Sequence, residues 1–297
     1  MKFPTLPILA GFALLVTACG KKAVNPPPVQ TGAESIVLAE KHFLPPVGTV
    51  VTKETTMKML NAPMTVKAGP RELEGTATQT TSDKETIETL AKDKVRRVIS
   101  SRKTTGKMTV NGKDQETPEK EDPLEGIPVI VERKGGKWSA TLESGETPTP
   151  DQQKGFGKIT KEMDRDSDFE TYGDAPRKIG DKWSVDPGKL LNFGNAENVT
   201  GTYDVELIEV ADFQGVRCAV VKAKFDFKGT SESEDGGTPM DMHLVGEAFS
   251  HRSIADMIDL DVEVNGTMTI SGSPAQNVSI HIEGPTTITE KAFLKKP

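Results

Sequence analysis

Ile258-Asp259-Leu260-Asp261-Val262-Glu263-Val264-Asn265-Gly266-Thr267-Met268-Thr269-Ile270-Ser271-Gly272 places an apolar residue or glycine at every even position and a polar residue at every odd one. A period of two is the spacing of a β-strand with one buried face and one wet face. Val278, Ile280, Ile282 and Ile288 repeat the pattern against Ser279, His281 and Glu283. Strands of this length exceed the usual five or six residues, so a sheet built from them must twist and coil to bury its apolar face. Gly266 and Gly272 ease the bending. The expected fold is mainly β: a long curved antiparallel sheet, a half-barrel or open barrel. Two packed sheets are the alternative.

Outward from this stretch the punctuation is that of hairpins. Residues 199–210 and 216–227 read as strands around Asp212-Phe213-Gln214-Gly215, and 240–250 follow an acidic loop, Ser231-Glu232-Ser233-Glu234-Asp235-Gly236-Gly237. In the first half, residues 49–60 read as a strand bounded by Pro45-Pro46-Val47-Gly48 and Asn61-Ala62-Pro63. Residues 72–81, 85–90 and 95–110 come next, the last ending in an Asn111-Gly112 turn. Residues 127–132 and 137–142 flank Lys134-Gly135-Gly136, a further hairpin.

One helix interrupts the series. Thr149-Pro150-Asp151-Gln152 supplies an N-cap, a proline at the first helical position and a capping-box glutamine. Phe156, Ile159 and Met163 then fall on one face, which should cover part of the concave side of the sheet. Together with Leu260, Val262 and Ile280 they form the expected apolar ligand face. Residues 36–297 are read as a single β-rich domain with possible halves at 36–145 and 176–297. Lys134-Gly135-Gly136-Lys137-Trp138-Ser139 echoes Lys178-Ile179-Gly180-Asp181-Lys182-Trp183-Ser184 across these halves. Duplication and shared turn chemistry both explain the echo.

Aromatic residues make up 5% of the 297-residue chain, so the core must come from aliphatic side chains and methionine. The net charge of −7 argues against a nucleic-acid surface. Neither a GxSxG elbow, a Walker loop nor GxGxxG is present, and Gly155-Phe156-Gly157 and Gly194-Asn195 are too short to cradle phosphate, so an enzyme is not expected. Asp164, Asp166 and Asp168 alternate as calcium ligands do, but Phe169 stands where the sharp turn needs glycine and Ala175 where a bidentate glutamate is needed. This weak metal candidate is read first as a solvated acidic loop, and no cofactor is expected. His42, His243, His251 and His281 form no zinc spacing.

The N-terminus carries the one specific motif. An apolar run from Leu6 to Val16 follows Lys2 and ends in Val16-Thr17-Ala18-Cys19. A spanning helix needs about 20 consecutive apolar residues; this run is shorter and holds Pro7. It resembles a secretory signal whose hydrophobic–small–small–Cys box is that of a bacterial lipoprotein. The resemblance implies a signal peptide at 1–18, acylation of Cys19 and a proline-rich tether at 19–35. Cys218 is then left without a disulfide partner and is read as a small buried hydrophobe. Gly20 lacks the aspartate that retains enterobacterial lipoproteins in the inner membrane, which favours the outer one.

Lipobox, tether, alternating strands and covering helix make the chain resemble bacterial lipoproteins with β-rich domains and, more loosely, the half-barrel lipid-handling lipoproteins of the LolA/LppX type. Those cup acyl chains between a curved sheet and helices. Two function classes follow: a non-catalytic, membrane-anchored envelope lipoprotein with a structural or protein-interaction role, or a binder of lipid or another apolar ligand. The expected partners are the membrane, an envelope protein or a lipid.

Overall fold

A computed structural model describes residues 34–117, 119, 122–190, 196–231 and 238–297. The signal and lipobox, with Cys19, lie outside the described residues, as do nearly all of the tether, Gly194-Asn195 and residues 232–237 of the acidic loop. Twelve strands form one sheet: β1 (Val50–Ala68), β2 (Arg71–Ala91), β3 (Lys94–Val110), β4 (Lys113–Thr117), β5 (Val129–Lys134), β6 (Lys137–Leu142), β7 (Lys182–Ser184), β8 (Ala196–Phe213), β9 (Val216–Ser231), β10 (Met240–Ser253), β11 (Asp259–Ala275) and β12 (Val278–Lys295). Between β6 and β7 lie α1 (Pro150–Arg165) and α2 (Ser167–Tyr172).

The strand order is β6-β5-β3-β2-β1-β12-β11-β10-β9-β8-β7, with β4 alongside the end of β3. Every strand pair is antiparallel, and β6 and β7 form the two edges, so the sheet is long, curved and not closed. The two halves are meanders that meet where β1 pairs with β12. Trp138 and Trp183, the two residues of the sequence echo, sit on the two edge strands. β6 closes the first meander whereas β7 opens the second.

Period-two alternation puts Met242, Leu244, Val264, Met268, Ile270, Ile282 and Ile288 on one face, all buried. That face holds the main core, which runs from Met108 and Val110 on β3 to Val199 and Tyr203 on β8. Bending is concentrated where side chains vanish. Gly246 pairs with Gly266, and a Cβ on Gly246 would lie 2.3 Å from the Asn265 carbonyl oxygen and 2.9 Å from the Phe225 ring. A Cβ on Gly284 would meet that of Ala62 at 2.4 Å. Only glycine permits such close approach.

Asn61-Ala62-Pro63, expected to end a strand, instead lies inside β1. The ladder to β12 is interrupted between Met59 and Met64, so Pro63 sits where no N–H is needed, and Asn61 takes φ 50° to make the bulge. The strands expected at 72–81 and 85–90 are likewise one strand, β2.

The helix begins as expected: Thr149 accepts from Gln152 N, and Gln152 returns the bond to the Thr149 N–H. Asp166, in the left-handed region at φ 49°, ends α1 and caps α2 by accepting from Phe169 N. Phe156 and Ile159 are buried against Val95, Ile99, Val129, Val131 and Trp138, with Met163 packed beside them. The helix therefore covers the β3-β5-β6 flank. Cys218 is fully buried, and burial pushes its thiol up to about 11.

Candidate functional site

Two register shifts place charge on the inner face. On β3, Ile99 pairs with Glu85 and Ser101 with Lys84, so Ser100 is the extra residue of a bulge. Arg97 and Arg102 consequently face inward together, opposite Ile87 and Asp83. On β11, His251 pairs with Asp261 and Arg252 with Asp259, which leaves Leu260 as the bulged residue and turns Asp259 inward. Bulges re-aim side chains in this way at functional and structural corners of sheets.

The result is a charged band beneath the helices. Arg252 is 1% exposed. Its Nε donates to the Leu38 carbonyl at 2.7 Å, Nη1 to Asp259 Oδ2 at 2.7 Å and Nη2 to Asp168 Oδ2 on α2 at 3.0 Å. Its guanidinium lies 4.2 Å from the Tyr172 ring centroid, and the Tyr172 hydroxyl donates to Asp259 Oδ1 at 3.1 Å. Toward the other flank, Arg97 donates to Glu85 at 2.7 Å and to Glu162 on α1 at 2.9 Å. Arg102 donates to Asp83 at 2.6 Å and to Asp122 at 2.9 Å. Lys53 on β1 sits between them, 3.7 Å from Glu290 on β12.

Burial and charge set the protonation of this band. Burial pushes Glu290 up to about 7, against the pull of Lys53. Burial also raises Asp259 and Asp83, more than Arg252 and Arg102 respectively lower them. The protein around Asp168 works against its charge, but Arg252 and Lys53 outweigh it and hold the carboxyl below the usual range. Glu85 is held low in the same way by Arg97 and Lys53, against its own burial. Asp168 keeps 53% of its side chain accessible and Lys53 35%, so solvent reaches the middle of the band.

The arrangement holds α1 and α2 onto the sheet. Among the described residues, no group of three or more His, Cys, Asp or Glu side chains converges as a metal site. Of the weak metal candidates, Asp164 is exposed, Asp166 caps α2 and also accepts from His42 N, and Asp168 binds Arg252.

The residues of the expected ligand face are dispersed. Phe156, Ile159 and Met163 belong to the cluster under α1, Leu260 to a cluster with Val51, Cys218, Ile258 and Ala292, and Ile280 to the main core. Val262 is buried beside Ser250 and Glu290, near the charged band. The band was invisible to pattern reading, because one extra residue in β3 or β11 reverses which residues face inward. The short run Arg96-Arg97, with Arg102 five residues on, within a strand was the one available hint.

No family model matches the chain, and neither does any curated protein. Among solved structures it is similar to a lipovitellin structure titled for its lipid–protein interactions, at 10% identity and a TM-score of 0.42, over 84% of this chain. The chain spans about a quarter of that protein's length, 25%. It is also similar to an outer-membrane channel from Pseudomonas putida F1, at 10% identity and a TM-score of 0.26, over 84% of this chain and 96% of that one. Scores this low carry no argument about function. No helix among the described residues is long and apolar enough to cross a membrane.

Proposed function

We propose that the protein is a non-catalytic lipoprotein of the bacterial cell envelope, anchored through Cys19, with a structural or protein-interaction role. The lipobox supports the anchor, and Gly20 favours the outer membrane. One observation carries the scaffold role: the protein's own groups occupy the inner face where a reaction or ligand would sit. Arg252, Arg97 and Arg102 each bind two carboxylates of the chain, and Phe156 and Ile159 are buried under the helix. Partner binding then falls to the outer face and the ends of the sheet.

A second reading, a binder of lipid or another apolar ligand, draws support from one feature. Met57, Met59, Met64, Met108, Met240, Met242 and Met268 share the inner face. Methionine is flexible and polarisable, and recurs at surfaces that accept varied apolar partners. Native mass spectrometry of the intact protein from envelope membranes separates the two readings. The scaffold reading expects the mass of the triacylated chain alone. A stoichiometric non-covalent lipid would overturn it in favour of the carrier, and an unmodified Cys19 would overturn the anchor.

A further inference from the structure

The register of the sheet gathers one set of turns at a single rim. Val50 pairs with Glu88 and Lys295, Lys94 with Glu132, and Phe213 with Val216, so the β2–β3, β5–β6 and β8–β9 turns and the C-terminus lie at the same end. The chain also enters the domain there. Glu34 pairs with Arg217 just after the β8–β9 turn, Ile36 bridges to Arg177, and Gly48 N donates to the Thr89 carbonyl. In sequence, Cys19 precedes Glu34 by 15 residues, a reach of at most about 45 Å if fully extended as polyproline.

The rim is basic although the chain is acidic overall. Lys92, Lys134, Lys137, Arg217, Lys295 and Lys296 are exposed on it. Four carboxylates at this end are neutralised internally, Glu34 by Arg217, Asp93 by Arg133, Glu132 by Lys134 and Asp256 by Lys296, while Asp212 in the β8–β9 turn accepts from Gly215 N. Among the described residues, Lys92, Lys137 and Lys295 form no ion pair and point their charge outward. Val47 and Phe293, 58% and 50% exposed, add apolar surface beside them. Elsewhere an exposed lysine is ordinary; here the cations and apolar residues coincide with the point where the tether arrives.

We propose that this rim is the face the domain turns to the membrane, where Lys92, Lys137 and Lys295 meet anionic lipid headgroups. The orientation rests on the proposed anchor at Cys19, but the headgroup contact is separable from it. The acyl chains hold the domain within reach of the bilayer, and the rim then sets which end faces it. The outer face and the opposite end of the sheet stay free for a partner.

The test measures partition of the purified full chain into vesicles of phosphatidylcholine alone and of phosphatidylcholine mixed with phosphatidylglycerol. Binding to the neutral vesicles, with the mass of Cys19, reports the anchor; the extra binding to the anionic ones reports the rim. Each lysine near an anionic surface is worth about fivefold in partition, so loss of three lysines lowers the anionic preference about a hundredfold, and the charge reversal in Lys92→Glu/Lys137→Glu/Lys295→Glu should lower it by more than that. Raising the salt should abolish the preference of the parent chain. Lys67→Glu/Lys107→Glu/Lys113→Glu, at the opposite end, should leave it unchanged, and both triple variants should keep the parent melting temperature. An absent anionic preference in the parent chain, or an equal loss in both triples, overturns the proposal whether or not Cys19 is acylated.

Discussion

At the far end of the inner face, Met57, Met59, Met64, Met240, Met242 and Met268 pack with Ile270, Ile282 and Phe225, and the buried charged side chains among the described residues, Arg97, Arg252 and Asp256, lie elsewhere. About half a strand away, the same face of the same sheet carries Lys53, Asp83, Glu85, Arg97, Arg252, Asp259 and Glu290. The first region is held by burial, which is non-directional and tolerates a change of shape. The second depends on particular atoms at particular distances, because a buried charge without its partner is costly. Apolar contacts bury the inner surface; charge fixes where the helices lie on it.

The difference is tested most severely at Arg252. Replacing it with leucine leaves Asp259 buried without its cation and removes the Asp168 tie of α2 to the sheet, at an expected cost of about 3–5 kcal/mol in denaturant unfolding. A loss below 1 kcal/mol, as for an exposed ion pair, would show that the band is solvated and does not differ from surface charge.

Glu290 should give a smaller, pH-dependent effect. Its folded value of about 7 lies above the ordinary 4.5, so the native state binds the extra proton between those limits. Stability is therefore highest below 4.5, as far as this group is concerned, and is lost as pH rises through 7, by up to about 3 kcal/mol. In Glu290→Gln that decline should vanish while Lys53 keeps Glu85 and Asp168 as charged neighbours. Melting curves from pH 5 to 9 check this; parallel profiles for the two proteins would refute it.

The apolar end should respond least. Met268 is fully buried, yet Met268→Leu conserves volume and should cost no more than about 1.5 kcal/mol by urea unfolding. A larger loss would mean that this core is as exacting as the charged band.

Much of the fold was legible because alternation survives for long stretches. The even positions of 262–270 face inward as the pattern requires, and Thr149-Pro150-Gln152 marks the start of the helix correctly. Placing the helix needed more than its own periodicity. It follows β6, and consecutive elements pack as neighbours, so Phe156 and Ile159 meet Trp138 and Val131 rather than Leu260. The band was hidden for a different reason. Asp259 reads as a wet-face residue in strict alternation and faces Arg252 only because Leu260 is bulged. Ser100 conceals Arg102 in the same way, and nothing in a polar dipeptide such as Ser100-Ser101 announces which residue is the extra one.

The pairing of β1 with β12 also orders assembly in time. Val50 meets Lys295, so the two central strands are the first and the last strands of the described residues. Each meander has mostly local pairings and forms early, whereas the seam between them waits for almost the whole polypeptide. Until the C-terminal strand arrives, β1 offers an open hydrogen-bonding row and an apolar stripe that includes Met57, Met59 and Met64. A chain delivered across a membrane from its N-terminus would carry that adhesive strand unpaired for most of its passage. Holding factors at the exit side would have to shield β1 first, and truncation of the last twenty or so residues would expose the middle of the sheet rather than an edge.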